Sequence, residues 1–345
     1  MASAPSISVI IATSGRTSHL ELTLASYARQ SYRDFEVIVA HPGGSHTEGL
    51  VARFAARAQA RALNVGGQGR GHARNLGIRA ADGDTIILAD DARIVPADYL
   101  ATLAAGAPDE VRVGARRAII PQWIYHLPGA TTQRLLGFMR NRSGIGANLY
   151  PGVAPFFGLA ELEAYFDEVI AAYQIDDYVW ERMKPIVTHF GEQPARFHLP
   201  WLLALAGNLC VPRRALFEVG LCDDKFYGWD LEDPDLGYKL HRHGLHFRVL
   251  PSLPSWHQQR SFLTYPFCLL EGLQRFHAAH DPVDAWLLLR FLTDEDVRDL
   301  DALAASRPPT NQPSIVDRQL QRTTRELVPH LIHGLGRWWA QDTGR

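Results

Sequence analysis

Cysteine is scarce in this chain: Cys210, Cys222 and Cys268 are the only three among 345 residues. The total is odd and no spacing matches a metal knuckle, a pattern that suits a reducing cytoplasm. The first residues, MASAPSISVIIATSGR, have no basic segment before their short apolar run. We therefore interpret that run as a first strand and not as a signal peptide.

Long apolar runs are also absent. The longest, LPWLLALAGNLCVP from Leu199, contains Gly207 and Asn208 and is shorter than the ~20 residues of a membrane span. A surplus of one charge is lacking too, since the formal net charge is −2. Such a chain has no global attraction for nucleic acid or an anionic membrane. We expect a cytoplasmic protein, soluble or peripheral to the membrane, without a nucleic-acid partner.

What the chain does contain is an alternation of apolar strands with helices. Strands are predicted at residues 8–12, 35–40 and 85–90, with helical patterns between them, one of them over about 48–62. This alternation predicts a parallel α/β sheet, whose ligands gather at the carboxyl ends of the strands. His41 and Asp90 lie at two such ends.

A glycine-rich loop, GGQGRG, precedes the third helical pattern. Gly67, Gly69 and Gly71 give G-x-G-x-G, but His72 stands where a dinucleotide fingerprint requires glycine or alanine, and the loop does not follow the first strand. We therefore do not assign a dinucleotide site. These glycines would let the backbone pass close to a ligand or a neighbouring strand.

Paired carboxylates end the third strand in LADDAR, at Asp90 and Asp91. Such a pair either holds a hard divalent cation that neutralises a diphosphate or belongs to a solvated turn. The two readings are not separated by this motif alone.

A second acidic group lies in FYGWDLEDPDLGYKLHRHG, residues 226–244. Asp233 followed by Pro234 is typical of an N-cap and first helical residue, and acids are favoured at a helix N-terminus. Alternatively, one of these carboxylates handles a proton. The two roles are compatible, because a carboxylate in that position stays ionised at neutral pH.

Four segments resemble, in the same order, those of family 2 glycosyltransferases with the GT-A fold: SVIIATSGR, LELTLASYARQSYRDFEVIV, ARNLGIRAADGDTIILADD and GWDLEDPDLGYKLHRHG. The last also resembles the W-x-x-E-D block of galactosyltransferases. The resemblance covers roughly residues 6–115 and 200–260. It implies a Rossmann-like α/β fold with a mixed, mainly parallel sheet, flanking helices and a helical C-terminal extension.

The resemblance also implies a division of the chain. Residues 1–115 would bind the nucleotide sugar, and residues 116–263 would bind the acceptor. Within the second part, residues 116–198 are interpreted as an insertion that shapes a pocket or an interface. Residues 264–345 would form a helical C-terminal region.

On the donor side, the resemblance places the nucleotide between Thr13 and His41 and above Arg74 and Asn75. Asp90 and Asp91 would occupy the Asp-x-Asp region that binds the donor's ribose and a divalent metal, Mg²⁺ or Mn²⁺. His257, in PSWHQQR, would be a metal or diphosphate ligand, although a single histidine is more often structural.

On the acceptor side, Trp229 would offer an apolar platform and Glu232 would orient the acceptor. Asp233 would be the general base that takes the acceptor's proton while the donor's C1 bond to the diphosphate breaks, with inversion. The expected function is therefore that of a bacterial hexosyltransferase-like enzyme that uses a nucleotide diphosphate sugar, a UDP-sugar by the family pattern. Its acceptor can be a saccharide, a peptide, a lipid or a small natural product.

Two positions depart from the family pattern. The usual Asp-Asp-Gly-Ser after the second strand, whose first aspartate helps to read uracil, is replaced by a sequence that begins with His41, and Ala92 replaces the third member of Asp-x-Asp. They leave open a degenerate GT-A module that binds a nucleotide sugar or glycan without turnover. A nucleotidyltransferase is disfavoured, because TSGRTSHLE lacks its glycine-rich activating loop.

The end of the chain carries an apolar stripe. LVPHLIHGLGRWWAQ places five large side chains on or near one helical face: Leu327, Leu331, Leu335, Trp338 and Trp339. Such a stripe must be covered by its own domain, by a second subunit or by a membrane surface. The second case would be a homodimer through the C-terminal helices.

Overall fold

The computed structural model describes residues 6–15, 17–107, 109–121, 155–206, 208–226, 231–259, 265–292 and 296–306. Its strands are β1 Ile7–Ala12, β2 Phe35–His41, β3 Ala60–Asn64, β4 Thr85–Asp90, β5 Arg93–Ile94, β6 Glu110–Ile119, β7 Gln174–Ile175, β8 Asn208–Pro212 and β9 His246–Gln258. Its α-helices are α1 Thr17–Ala28, α2 Ser45–Arg53, α3 Arg70–Ala80, α4 Tyr99–Ala104, α5 Leu159–Ala164, α6 Phe166–Tyr173, α7 Tyr178–Phe190, α8 Arg213–Glu218, α9 Glu232–Arg242, α10 Tyr265–Ala279, α11 Pro282–Leu292 and α12 Val297–Ser306, with a 3₁₀ helix at Pro200–Ala206.

The strands form one mixed sheet in the order β3-β2-β1-β4-β8-β6-β9-β5, with β7 pairing β6. The four strands β3, β2, β1 and β4 are all parallel, and β6 and β9 form a further parallel pair. β8 is antiparallel to both of its neighbours, β4 and β6, and so joins the two parallel parts. The predicted α/β class with a mixed, mainly parallel sheet is confirmed.

Alternate side chains of the strands pack on opposite faces of the sheet. Ile10 of β1 joins one apolar cluster with Ile78 of α3, whereas Val9 and Ile11 join another with Leu20 of α1. Both faces are covered by helices, which explains why the first strand is buried along its whole length and apolar except for Ser8. Because β1 and β4 pair in parallel, with Ala12 opposite Asp90, their carboxyl ends lie side by side at one edge of the sheet.

Some predicted boundaries differ from the structure. The helix expected over about 48–62 ends at Arg53, and its second half contains the strand β3, Ala60–Asn64. β3 is an edge strand with exposed side chains at 61, 62 and 64, so its sequence lacks the apolar run of a buried strand. The predicted division after residue 115 falls within β6, Glu110–Ile119, and the division itself stays a prediction.

The N-cap assigned to Asp233 is wrong. Leu231 is the cap of α9, no side chain caps it, and Asp233 lies within the first turn. Most of the predicted insertion's first part, residues 122–154, and the apolar stripe at 327–339 lie outside the described residues. Among the helices of the described part of the chain, none has the length and apolar character to cross a membrane.

Candidate active site

A pocket opens where the carboxyl ends of β1, β2 and β4 meet the loop before α3, and its volume is about 280 Å³. Its lining includes Thr13 after β1, Pro42 after β2, Arg70 at the start of α3, and Asp90 and Asp91 at the end of β4. In open α/β sheets, ligands bind at such a crevice beside the carboxyl ends of the strands.

Asp91 is fixed by two threonines. Its Oδ2 accepts a hydrogen bond from Thr13 Oγ1 at 2.8 Å, and its backbone carbonyl accepts one from Thr23 Oγ1 at 2.9 Å. Thr13 in turn receives the backbone N–H of Gly15 at 3.1 Å. The loop after β1 therefore holds the second carboxylate of the pair against the pocket.

Asp90 instead faces three arginines. Its Oδ1 lies 3.3 Å from Nη1 of Arg70 and 3.3 Å from Nη2 of Arg74, and its Oδ2 lies 3.4 Å from Nη2 of Arg93. The adjacent carboxylates of LADDAR thus belong to different networks, one of hydroxyl groups and one of guanidinium groups.

The arginine network continues to the first turn of α9. Arg70 and Arg74 are four residues apart on α3, so they share a helix face. Arg70 Nη2 binds Glu232 Oε1, and Arg74 Nη1 binds Asp233 Oδ1 while lying 3.6 Å from Glu232 Oε1. The two arginines therefore connect Asp90, at the end of the sheet, with both carboxylates that the sequence placed on the acceptor side.

The carboxyl groups of Glu232 and Asp90 are both buried, but their pKa values are shifted in opposite directions. Burial raises the pKa of Glu232 to about 7, and Asp233 adds to the rise, while Arg70 and Arg74 oppose it. Burial also disfavours ionisation of Asp90, but the charges of its three arginine partners outweigh it and hold the pKa of Asp90 well below its ordinary value. Asp90 is thus a permanent anion, whereas Glu232 can gain or lose a proton near neutrality.

His257 lies beside this network on β9. It pairs with Arg93 in the register between β5 and β9, it is buried, and its charge contributes to the low pKa of Asp90. Within the described residues, no group of three or more histidine, cysteine, aspartate or glutamate side chains is placed to hold a metal ion. A metal held by Asp90, Asp91 and His257 stays a prediction.

His41 is fully buried at the end of β2. Its Nδ1 accepts the backbone N–H of Gly43 at 3.2 Å, and its Nε2 lies 3.8 Å from Glu48 Oε1. The next residue, Pro42, lines the pocket. The structure thus shows His41 shaping the turn behind the pocket, and its contact with a nucleotide stays a prediction.

Asn75 connects α3 to the loop before α9. Its Nδ2 donates to the carbonyl of Cys222 at 2.9 Å and to Asp224 Oδ1 at 2.8 Å, and its Oδ1 accepts the N–H of Cys222 at 2.9 Å. These bonds hold α3 to the segment that contains Cys222 and Asp224. The position of Asn75 beneath a nucleotide is untested.

Arg70 and Arg93 were not predicted as site residues. For Arg70 a local signal exists, since its spacing to Arg74 places both on one helix face. For Arg93 no local signal exists, because its burial beside Asp90 and His257 depends on the pairing of β5 with β9. Trp229, predicted as an acceptor platform, lies outside the described residues.

Parts of this chain are similar in sequence to known proteins. The sequence model of glycosyl transferase family 2 matches residues 8–152. Validoxylamine A glucosyltransferase from Streptomyces hygroscopicus subsp. jinggangensis is 29% identical over 264 residues, which cover 73% of this chain and 54% of that protein. Chondroitin synthase from Escherichia coli is 26% identical over 267 residues, or 73% of this chain and 34% of the synthase. The chain spans about half the length of the first of these relatives.

Among solved structures, that of S. aureus TarS superposes with a TM-score of 0.50 at 14% sequence identity, covering 93% of this chain and 55% of TarS. At this identity the likeness concerns the fold.

Proposed function

We propose that this chain, whose residues 8–152 match the sequence model of glycosyl transferase family 2 and whose fold is of the GT-A type, transfers a sugar from a nucleotide diphosphate sugar to an acceptor. One observation supports the proposal beyond these similarities. A pocket at the carboxyl ends of β1 and β4 is joined, through Arg70 and Arg74, to two carboxylates on a separate helix. A transferase needs this juxtaposition of a donor site with a proton acceptor.

The donor in this proposal is a UDP-sugar. Its nucleoside occupies the pocket between Thr13 and the glycine-rich loop, with the diphosphate directed towards Asp90 and Asp91. The pocket of about 280 Å³ leaves room for part of such a donor, and Asp91 is already held in place by Thr13. The hexosyl group would extend towards α9.

Asp233 is proposed as the general base of an inverting single displacement. The acceptor oxygen forms a bond with C1 of the sugar, the bond from C1 to the diphosphate oxygen breaks, and the acceptor's proton passes to the Asp233 carboxylate. The nucleoside diphosphate departs as an anion. Arg74 holds the Asp233 carboxylate in one orientation. The side chain of Asp233 is 15% exposed to solvent, so an acceptor can reach it.

Glu232 has a different role in this scheme. Its side chain is 1% exposed and is bound to Arg70, so it is less accessible than Asp233. We propose that it orients the acceptor and the Arg70 side chain, while Asp233 accepts the proton. Trp229, two residues before the helix cap, remains the proposed acceptor platform.

A divalent metal, Mg²⁺ or Mn²⁺, is part of the proposal. Such ions are usually held by one or two carboxylates together with substrate phosphates. In this proposal Asp90 and Asp91, consecutive in the chain, would each supply a carboxylate oxygen, and His257 is the proposed third residue. When bound, the ion would neutralise the charge of the diphosphate as it leaves.

The decisive experiment combines product analysis with one substitution. The protein is incubated with a panel of nucleotide sugars and candidate acceptors, and the products are identified by intact mass. Asp233→Asn should lower the transfer rate by ~10² to 10⁴ while nucleotide binding is retained, because an amide cannot take the proton. The matched control is Asp84→Asn, an exposed aspartate just before β4 at the end opposite Asp90.

Transfer by Asp233→Asn within a few-fold of the unmodified protein would refute the assignment of the base. Binding of a nucleotide sugar without any change in acceptor mass across the panel would instead favour a module that binds without turnover.

A homodimer through the C-terminal region is also proposed, on the strength of the apolar stripe in the sequence. Light scattering before and after truncation at Ser306 tests it. Conversion of a dimer to a monomer supports the interface, and a monomer in both cases excludes it.

A further inference from the structure

Arg70 differs from the other two arginines around Asp90. The side chains of Arg74 and Arg93 are 1% and 0% exposed, whereas that of Arg70 is 21% exposed and lines the pocket. Arg70 is therefore the member of this trio that a pocket ligand can reach without displacement of the core.

The glycine-rich loop places Arg70 at the pocket. Gly66 and Gly69 have positive φ values of 68° and 94°, which residues with a Cβ atom rarely adopt. Arg70 follows them as the first residue of α3. Gly66, Gly67 and Gly69 line the same pocket. One side of the pocket is therefore lined by glycine backbone, and the guanidinium group of Arg70 follows directly after it.

Arg70 is already shared between two anions on either side of the pocket edge. Its Nη1 lies 3.3 Å from Asp90 Oδ1, and its Nη2 binds Glu232 Oε1. These partners raise the pKa of Arg70 even though burial opposes its charge, so the group stays cationic. Glu232, in contrast, is ionised at a cost, because its burial raises its pKa to about 7. It is a weak competitor for the guanidinium group.

We propose that Arg70 is a donor-binding residue that exchanges Glu232 for the diphosphate of the nucleotide when the donor enters the pocket. This inference rests on the proposed function. A planar guanidinium group matches phosphate oxygens in a bidentate manner, and a diphosphate carries a larger and more permanent charge than a buried carboxyl group. Donor binding would leave Glu232 with Arg74, 3.6 Å away, as its cationic partner in this network. The state of the acceptor side would thus depend on whether the donor is bound.

The exchange predicts a specific sign for a substitution at Glu232. Glu232→Gln removes the competing charge and should tighten the binding of a nucleoside diphosphate by about 3-fold or more, because Arg70 then breaks no ion pair with residue 232 when it binds the diphosphate. In the Arg70→Ala background the same substitution should have no effect. A residue with a merely structural role would not produce this dependence.

The test is calorimetric titration of four variants: the unmodified protein, Arg70→Ala, Glu232→Gln and the double variant. The probes are UDP and GDP, each beside its nucleoside. Arg70→Ala should weaken diphosphate binding about 10- to 100-fold, the range of a hydrogen bond to a charged group, and nucleoside binding by less than about 2-fold. Arg79→Ala, on the exposed face of α3, removes the same charge and should change neither affinity.

The outcomes separate this inference from the proposed function. If the unmodified protein binds neither diphosphate, both fail. If it binds one of them, but Glu232→Gln weakens binding or leaves it unchanged, the exchange alone is overturned. The effect of Glu232→Gln is measured with Arg70 intact, so a folding defect of Arg70→Ala cannot account for that result. Arg70→Lys keeps the charge and should recover part of the affinity that Arg70→Ala loses.

Discussion

Replacing Glu232 by glutamine should change the way in which the stability of the protein depends on pH. The Glu232 carboxyl group is buried beside the Asp233 carboxylate, and its pKa is raised to about 7 from an ordinary value of 4.5. Below pH 4.5 the native and unfolded states both keep this proton. Between these values the unfolded state releases the proton while the native state retains it, so the free energy of unfolding falls as the pH rises. Above about pH 7 the loss is complete.

The size of the effect follows from the two pKa values. The gap between about 7 and 4.5 corresponds to about 3 kcal/mol at 1.36 kcal/mol for each tenfold change. Most of it, about 2 to 3 kcal/mol, develops between pH 5 and pH 8. Glutamine has a similar shape and does not titrate. The stability of Glu232→Gln relative to the unmodified protein should therefore increase by this amount over that range.

Urea denaturation at pH 5, 6.5 and 8 measures the difference, because the groups that titrate alike in the two proteins cancel when the proteins are compared at the same pH. Glu271→Gln is the matched control, since the side chain of Glu271 is 65% exposed, and its difference from the unmodified protein should stay constant. A constant difference for Glu232→Gln would show that the pKa of Glu232 is not raised in the native state, and one that shrinks as the pH rises would show that the buried cluster stabilises the ionised form.

Three further predictions concern the neighbourhood of the site. Asn75→Ala should lower the free energy of unfolding by about 2 to 3 kcal/mol, because the buried backbone groups of Cys222 lose their partner; denaturant unfolding that matches the unmodified protein contradicts this role. Gly237→Ala should lower the free energy of unfolding by about 1 to 3 kcal/mol, since its Cβ would overlap Cβ of Ala204 and lie 2.8 Å from the carbonyl oxygen of Trp201, whereas Gly49→Ala, with open space around it, should be neutral or stabilising by up to about 1 kcal/mol in the same thermal scan. If a divalent ion joins the diphosphate to the acidic pair, chelator should weaken nucleotide-sugar binding and Mn²⁺ should restore it. Titrations that are indifferent to chelator would instead assign the neutralisation of the diphosphate to the protein's own cations.

The fold was predictable wherever burial leaves a strong local pattern. β1, β2 and β4 are buried on both faces by helices, so their segments are almost wholly apolar, and their predicted positions are confirmed to within a residue. β3 was missed because an edge strand needs no apolar run, and an alanine- and arginine-rich segment favours a helix by propensity alone. The pairing of β3 with β2 is a tertiary choice that overrides this propensity.

The individual acids of the site were likewise visible in the sequence, because the chemistry of a residue type and its place at a strand end or a helix start are local properties. Arg74 was named only through the family resemblance. The contacts of each acid, in contrast, involve residues that are distant in the sequence. Asp233 stands 159 residues from Arg74, its partner in the fold, and the position that suggested an N-cap instead provides an ion pair. The pKa of Glu232 and the sharing of Arg70 between two anions arise only when α3, α9 and the end of β4 exclude water together. The amino-acid sequence sets which charged groups the protein has. Which of these groups face one another depends on the fold, because electrostatic energy varies with distance and burial and not with order along the chain.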